Sequence, residues 1–166
     1  MPGKPSEDSQ TMIKENRRKV VLIGIGNEYR SDDGIGLLIA RKIREIHLSS
    51  VCIKEESGEG VALMETWQGF DNVLITDAVS SGAKPGTIFK IDACKETVPA
   101  KFFRYSTHAF SLAEAVELAK AMKTLPAELL IYGIEGDNFH AGRDVSRVVQ
   151  ESAIQVIEQV LKKLMS

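Results

Sequence analysis

Short apolar runs alternate in this chain with segments whose apolar residues recur at helical spacing. The run Val20 to Ile25 is the first of them, and a helical pattern follows it from Ile35 to Ile46. Continuous apolar runs are typical of buried strands, and recurrence every three or four residues is typical of helices. Further strands are predicted at residues 51–55, 73–76, 87–91 and 129–134, and further helices at residues 60–67, 111–122 and 145–164. Because strands that alternate with helices pair mainly in parallel and are covered on both faces, the pattern predicts an α/β fold, a three-layer α/β/α sandwich.

Composition limits the classes of protein to which the chain can belong. With 166 residues, 43% of them hydrophobic, we expect one globular domain at residues 19–166 after a polar, flexible tail at residues 1–18. The 21 basic and 23 acidic residues nearly balance, and no basic block is interleaved with aromatic residues, so nucleic acid is not an expected partner. No apolar run approaches the roughly 20 residues of a membrane helix, and the N-terminal segment lacks the apolar core of a signal peptide. We therefore expect a cytoplasmic protein with no membrane partner.

Three polar residues are predicted to lie where strands end or helices begin. Asp33 follows the first strand, Asp77 directly follows the run at 73–76, and His108 precedes a helix whose predicted start is a capping box of Ser111 and Glu114. Ligands of mainly parallel sheets bind at the carboxyl ends of the strands. Two carboxylates and one imidazole suit a borderline divalent ion such as nickel or zinc, with coordination positions left open. The sequence thus predicts a metal site at which exchange or chemistry can occur.

Each of these residues also has an ordinary structural interpretation. Asp32 or Asp33 can cap the helix that begins near Gly34, and Asp32 is the better candidate for that cap. Asp77 can equally be a turn residue at a strand end, and His108 can be a loop histidine with its own partner. The other two histidines, at positions 47 and 140, are expected at the protein surface.

The glycines near the first strand allow a second functional hypothesis. Gly24, Gly26, Gly34 and Gly36 form a loose variant of a dinucleotide-binding fingerprint. Their spacing is too wide for one tight turn beneath a pyrophosphate, and the adjacent carboxylates would repel phosphate. A nucleotide-binding module is therefore the weaker hypothesis. The sequence also has no nucleophile elbow and no HExxH helix, so a conventional serine-protease or zincin mechanism has no support.

At these residues the chain resembles the nickel-iron hydrogenase maturation proteases, from about Lys19 to Leu164. Three segments carry the resemblance in the family's order: "GIGNEYRSDDGIG", "GVALMETWQGFDNVLITDAVSSGAKPGTIFKID" and "STHAFSLAEAVELA". The resemblance implies a five-stranded twisted sheet and a metal bound by Asp33, Asp77 and His108. It also implies an endopeptidase that removes the C-terminal extension of a hydrogenase large-subunit precursor after nickel insertion. The nickel would be supplied by the substrate, and zinc or another divalent ion could occupy the same site.

Several aspects of the implied function stay open at this point. Asp33 and Asp77 are the candidate catalytic residues, whether the metal polarises the scissile carbonyl group or a carboxylate activates water. A noncatalytic, nickel-dependent chaperone of the same large subunit is the main alternative. A monomer is expected, since no sustained heptad indicates a coiled-coil assembly. The chain has Ala109 where many members have Gln, and Gly58 near a position where many have Thr, which leaves the choice of substrate open.

Overall fold

A five-stranded sheet forms the centre of the structure, a computed structural model that describes residues 18–166. Its strands are β1 (Val20–Ile25), β2 (Val51–Glu56), β3 (Asn72–Val79), β4 (Ile88–Asp92) and β5 (Glu128–Glu135). Their order is β2-β1-β3-β5-β4, and only the edge strand β4 is antiparallel to its neighbour. The mainly parallel sheet of about five strands is thereby confirmed. Residues 1–17 of the predicted N-terminal tail lie outside the described residues.

Helices cover both faces of this sheet. They are α1 (Ile35–Arg44), α2 (Gly60–Trp67), α3 (Leu112–Met122) and α4 (Arg147–Leu164). Helices α1 and α4 bury their apolar residues against one face, together with Leu22 and Leu74 of the sheet. Helices α2 and α3 pack on the other face, together with Ile23 and Ile75. Consecutive side chains of β1 and β3 point to opposite faces of the sheet, so each strand contributes to two cores. The sheet and the helices on its two faces form the predicted three layers. Within residues 18–166, no helix combines the length and apolar character that crossing a membrane requires.

Two predicted boundaries differ from the observed ones, and the first difference affects the site. Strand β3 continues to Val79 because β5 pairs with it along its whole length, up to the pair Val79 and Glu135. Asp77 therefore lies within a strand, and the prediction that it ends one is wrong. Helix α1 ends at Arg44, before Ile46, whose side chain is exposed.

Close packing explains the glycines around β1. A Cβ atom at Gly36 would overlap the carbonyl oxygens of Ile25 and Thr76, and one at Gly26 would overlap the carbonyl oxygen of Asp33. The absence of a side chain lets the start of α1 approach both β1 and β3. This approach places Asp33 beside the carboxyl end of the sheet. The glycines have a packing role here, which gives the nucleotide-binding hypothesis no support.

Candidate functional site

A cavity of about 240 Å³ opens where β1 and β3 end, between the loops that follow them. Asp33, Asp77 and His108 all line it. The structure therefore brings the three residues predicted from the sequence to one place. Aromatic side chains from two other loops, including Tyr105 and Phe139, form part of the surrounding wall.

Asp77 is the most deeply placed of the three predicted residues. Its side chain belongs to β3 and is only 7% exposed, and its Oδ1 accepts a hydrogen bond of 2.8 Å from the backbone N–H of Ala78. Burial raises the pKa of Asp77 well above its usual value, and the negative charge of Asp33 raises it further. Asp77 consequently retains a proton more readily than an exposed aspartate does.

Asp33 lines the same cavity and is less buried than Asp77. It belongs to a short 3-10 turn, Ser31–Gly34, between β1 and α1. Burial raises the pKa of Asp33, although the positive charge of Arg30 and a hydrogen bond from the backbone of Asn27 act in the opposite direction. Two interacting carboxyl groups with raised pKa values can divide the roles of proton donor and proton acceptor. The pair is therefore suited to acid–base chemistry.

His108 lies in the loop before α3 and lines the same cavity. Its Nε2 atom is 3.2 Å from Oγ of Ser57, and its backbone N–H donates to Oγ of Ser106. Nowhere in residues 18–166 do three His, Cys, Asp or Glu side chains already surround one ion position. The common metal site of Asp33, Asp77 and His108 accordingly stays a prediction, although its oxygen and nitrogen donors fit a borderline ion such as nickel.

Asp32 has a role that differs completely from that of its neighbour. It is fully buried, and its carboxylate accepts hydrogen bonds from the N–H groups of Asp137 (2.8 Å) and Asn138 (2.9 Å). It also accepts bonds from the N–H group (2.7 Å) and hydroxyl group (2.8 Å) of Ser146, which precedes α4. The prediction that Asp32 caps the helix beginning near Gly34 is wrong, because no side chain caps α1. Asp32 instead fixes a distant loop, residues 136–146, against the start of α4.

Three other residues around the cavity were not predicted from the sequence. Nη1 of Arg30 donates a 2.6 Å hydrogen bond to the carbonyl oxygen of Tyr105. The ring of Tyr105 stacks on that of Phe139, with centroids 4.6 Å apart and planes 3° from parallel. These contacts join segments far apart in the chain, so no local pattern could have found them. His47 and His140 are exposed, as their sequence context predicted.

The amino-acid sequence matches one group of known proteins. The family model HycI, described as hydrogenase maturation protease, matches residues 38–163. The chain belongs to the hydrogenase maturation protease family. Members are hydrolases that act on peptide bonds, so the enzyme class and family expected from the three sequence segments are confirmed.

Individual relatives agree with this family assignment. The hydrogenase expression/formation protein HoxM of Cupriavidus necator is 27% identical over 146 residues, which cover 84% of this chain and 71% of that protein. HupD of Thiocapsa roseopersicina, described in the same words, is 26% identical over 153 residues, covering 88% of this chain and 67% of the relative. Among solved structures, the hydrogenase maturating endopeptidase HybD from E. coli superposes with a TM-score of 0.77 at 25% identity, over 90% of this chain and 93% of that one. These matches confirm the α/β fold.

Proposed function

We propose that this protein is an endopeptidase that removes the C-terminal extension of a nickel-iron hydrogenase large-subunit precursor after nickel has been inserted. The observation that carries the proposal is the pair of raised-pKa carboxyl groups, Asp33 and Asp77, in one cavity with His108. Membership of the hydrogenase maturation protease family supports the same substrate.

Nickel is part of the substrate in this proposal and is also the feature that the enzyme recognises. The precursor would present the ion on its own cysteine ligands, and Asp33, Asp77 and His108 would complete the coordination. Coordination would hold the adjacent peptide bond against the two carboxyl groups. A precursor without nickel would lack this anchor and would remain unprocessed.

The two carboxyl groups supply the proton transfers that hydrolysis of a peptide bond requires. An ionised carboxylate accepts a proton from water as the water oxygen attacks the carbonyl carbon. The carboxyl group that took this proton then donates it to the departing nitrogen. Because a carboxylate that coordinates nickel is ionised, the proton acceptor is an oxygen of Asp33 or Asp77 that does not bind the ion. Nickel on the substrate can add Lewis-acid polarisation of the carbonyl group.

The test compares nickel-loaded and nickel-free forms of one hydrogenase precursor. We expect mass spectrometry to detect the release of a single C-terminal peptide from the loaded form only, with no effect of serine-protease inhibitors. Equal cleavage of both forms would refute recognition through nickel. An intact precursor that still binds the protein would instead identify a chaperone.

A further inference from the structure

Arg30 is the cationic residue of the proposed active site. Within residues 18–166, Arg30 is the only arginine or lysine that lines the cavity, which Asp33 and Asp77 also line. It is partly buried and close enough to Asp33 for its charge to lower the pKa of that carboxyl group. A guanidinium group in the cavity that holds both carboxyl groups provides the opposite charge that an anionic reaction intermediate needs.

The guanidinium group of Arg30 is held in place, but most of its donors are not used by the protein. Its side chain makes one hydrogen bond within residues 18–166, from Nη1 to the carbonyl oxygen of Tyr105. It forms no ion pair within these residues, whereas Arg41 and Arg143 nearby both pair with Glu28. A guanidinium group has five N–H donors in a rigid plane, which match the two oxygens of a carboxylate. The contact with Tyr105 therefore orients the group while leaving donors for a ligand.

We propose that Arg30 binds the oxygen of the scissile carbonyl group during hydrolysis and then the carboxylate left on the substrate. This inference rests on the proposed function of the cavity. As the water oxygen bonds to the carbonyl carbon, the carbonyl π electrons move onto the oxygen, and one water proton passes to a carboxylate of the Asp33–Asp77 pair. The electron pair on the oxygen then re-forms the carbonyl bond, the C–N bond breaks with its electron pair leaving on nitrogen, and nitrogen takes the proton held by the pair. The new carboxyl group gives its remaining proton to the released amine and becomes the carboxylate. Arg30 stays protonated throughout and donates hydrogen bonds to the oxygen that carries the negative charge.

A purely structural role is the competing explanation, since Arg30 also fixes the loop of Tyr105. Loss of that contact would shift the Tyr105–Phe139 wall and weaken the binding of any substrate. A catalytic role predicts instead that the loss falls mainly on kcat, because the interaction is strongest after negative charge has developed. The split between kcat and KM therefore separates the two explanations.

The first measurement is steady-state processing of nickel-loaded precursor by Arg30→Gln and Arg30→Lys. We expect Arg30→Gln to lower kcat at least about 100-fold with a smaller change in KM, as for removal of an oxyanion donor. Arg30→Lys keeps the charge but not the planar fork, so its kcat should be intermediate. Arg143→Gln is the matched control. Arg143 pairs with Glu28 and lies over the ring of Tyr29, two residues of the cavity wall, but Arg143 itself does not line the cavity. Its kcat should stay within about twofold of wild type. An unchanged kcat in Arg30→Gln would overturn the proposal.

The second measurement needs no turnover and therefore separates this inference from the proposed function. Two synthetic peptides carry the last residues of the processed large subunit and end in a free carboxylate or in an amide. Wild type and Arg143→Gln should bind the carboxylate form at least about tenfold more tightly, and Arg30→Gln should lose that preference. Wild type can leave the precursor intact and still prefer the carboxylate peptide in a way that depends on Arg30. In that case the proposed function is wrong, but the assignment of Arg30 as a carboxylate-binding residue is supported. A wild type without the preference, or an Arg30→Gln variant that retains it, contradicts the assignment of Arg30.

Discussion

The adjacent residues Asp32 and Asp33, just before α1, have different roles. Asp32 is fully buried and satisfied by four hydrogen bonds, whereas Asp33 faces the cavity and interacts with Asp77. The tight 3-10 turn points consecutive side chains in different directions, so two aspartates can serve two separate environments. One carboxylate is therefore structural, and the other is available for chemistry.

Asp77→Asn should abolish processing and raise the melting temperature at neutral pH. Burial and the charge of Asp33 raise the pKa of Asp77 above its usual value of 3.8, so ionisation destabilises the folded state. This destabilisation is absent below the usual pKa, grows as the pH rises, and is complete above the raised pKa. Asparagine cannot ionise but can still accept the bond from Ala78. The variant should melt at least about 2 °C higher at pH 7, and the difference should vanish near pH 4.

The matched control for this change is Asp137→Asn, which removes a carboxylate from an exposed residue. Its melting temperature should follow that of wild type at every pH. If Asp77→Asn melts far below wild type, Asp77 is a structural residue and its proposed catalytic role is wrong.

His108→Ala should reduce processing most at low substrate concentration. The change removes a proposed ligand of the substrate's nickel, so kcat/KM should fall at least about tenfold. His47→Ala changes an exposed histidine far from the cavity lining and serves as the control. Rates of peptide release across a range of precursor concentrations measure both effects. Equal rates for the two variants would remove His108 from the site.

At the scale of elements, the position of the loop at residues 136–146 depends on hydrogen bonds to Ser31 and Asp32, which lie far from it in the sequence. Backbone bonds join it to the 3-10 turn, including Ser31 N–H to Gly142 carbonyl at 2.8 Å and Asp32 N–H to Asn138 carbonyl at 2.9 Å. The carboxylate of Asp32 adds bonds to the same loop and to the start of α4. Phe139, which stacks on Tyr105, is thereby held at the cavity wall.

Asp32→Ala should destabilise the protein, whereas Asp33→Asn should not. The first change leaves buried N–H groups without acceptors and should lower the free energy of unfolding by about 3 kcal/mol or more. The second removes a half-buried charge whose pKa is raised, so stability at pH 7 should be equal to or above that of wild type. Urea unfolding of both variants measures the contrast. Similar losses in the two variants would mean that both aspartates are structural.

Local signals in the sequence were sufficient for most elements but not for the contacts between them. Strand β1 and the capping box of Ser111 and Glu114 depend on neighbouring residues and were predicted correctly. The partners of Asp32 and Arg30 could not be predicted, because Ser146 lies 114 positions from Asp32 and Tyr105 lies 75 positions from Arg30. The end of β3 was predicted too early for a related reason: pairing with β5 extends the strand through a polar residue.

At the scale of the whole molecule, β3 connects the candidate site to both hydrophobic cores. It lies in the middle of the sheet, between β1 and β5, and its residues from 73 to 79 are buried. Leu74 packs on the face covered by α1 and α4, while Ile75 packs on the face covered by α2 and α3. Asp77 follows on the same strand, so the strand that positions this carboxyl group also contributes side chains to both cores.

Leu74→Asp should therefore unfold the whole domain, although Asp77 is tolerated three positions further along the same strand. Asp77 opens onto the cavity and accepts a backbone hydrogen bond, whereas a carboxylate at position 74, where the leucine is 1% exposed, would meet only apolar side chains. Burying an unpaired charge costs several kcal/mol, a large part of the roughly 5–15 kcal/mol that stabilises a typical domain.

Leu118→Asp is the control, because Leu118 is 41% exposed on α3 and its replacement should change stability by no more than about 1 kcal/mol. Circular dichroism and thermal melting should show a folded Leu118→Asp variant and an unfolded or insoluble Leu74→Asp variant. A cooperative transition near that of wild type in Leu74→Asp would mean that β3 is not the element on which both cores depend.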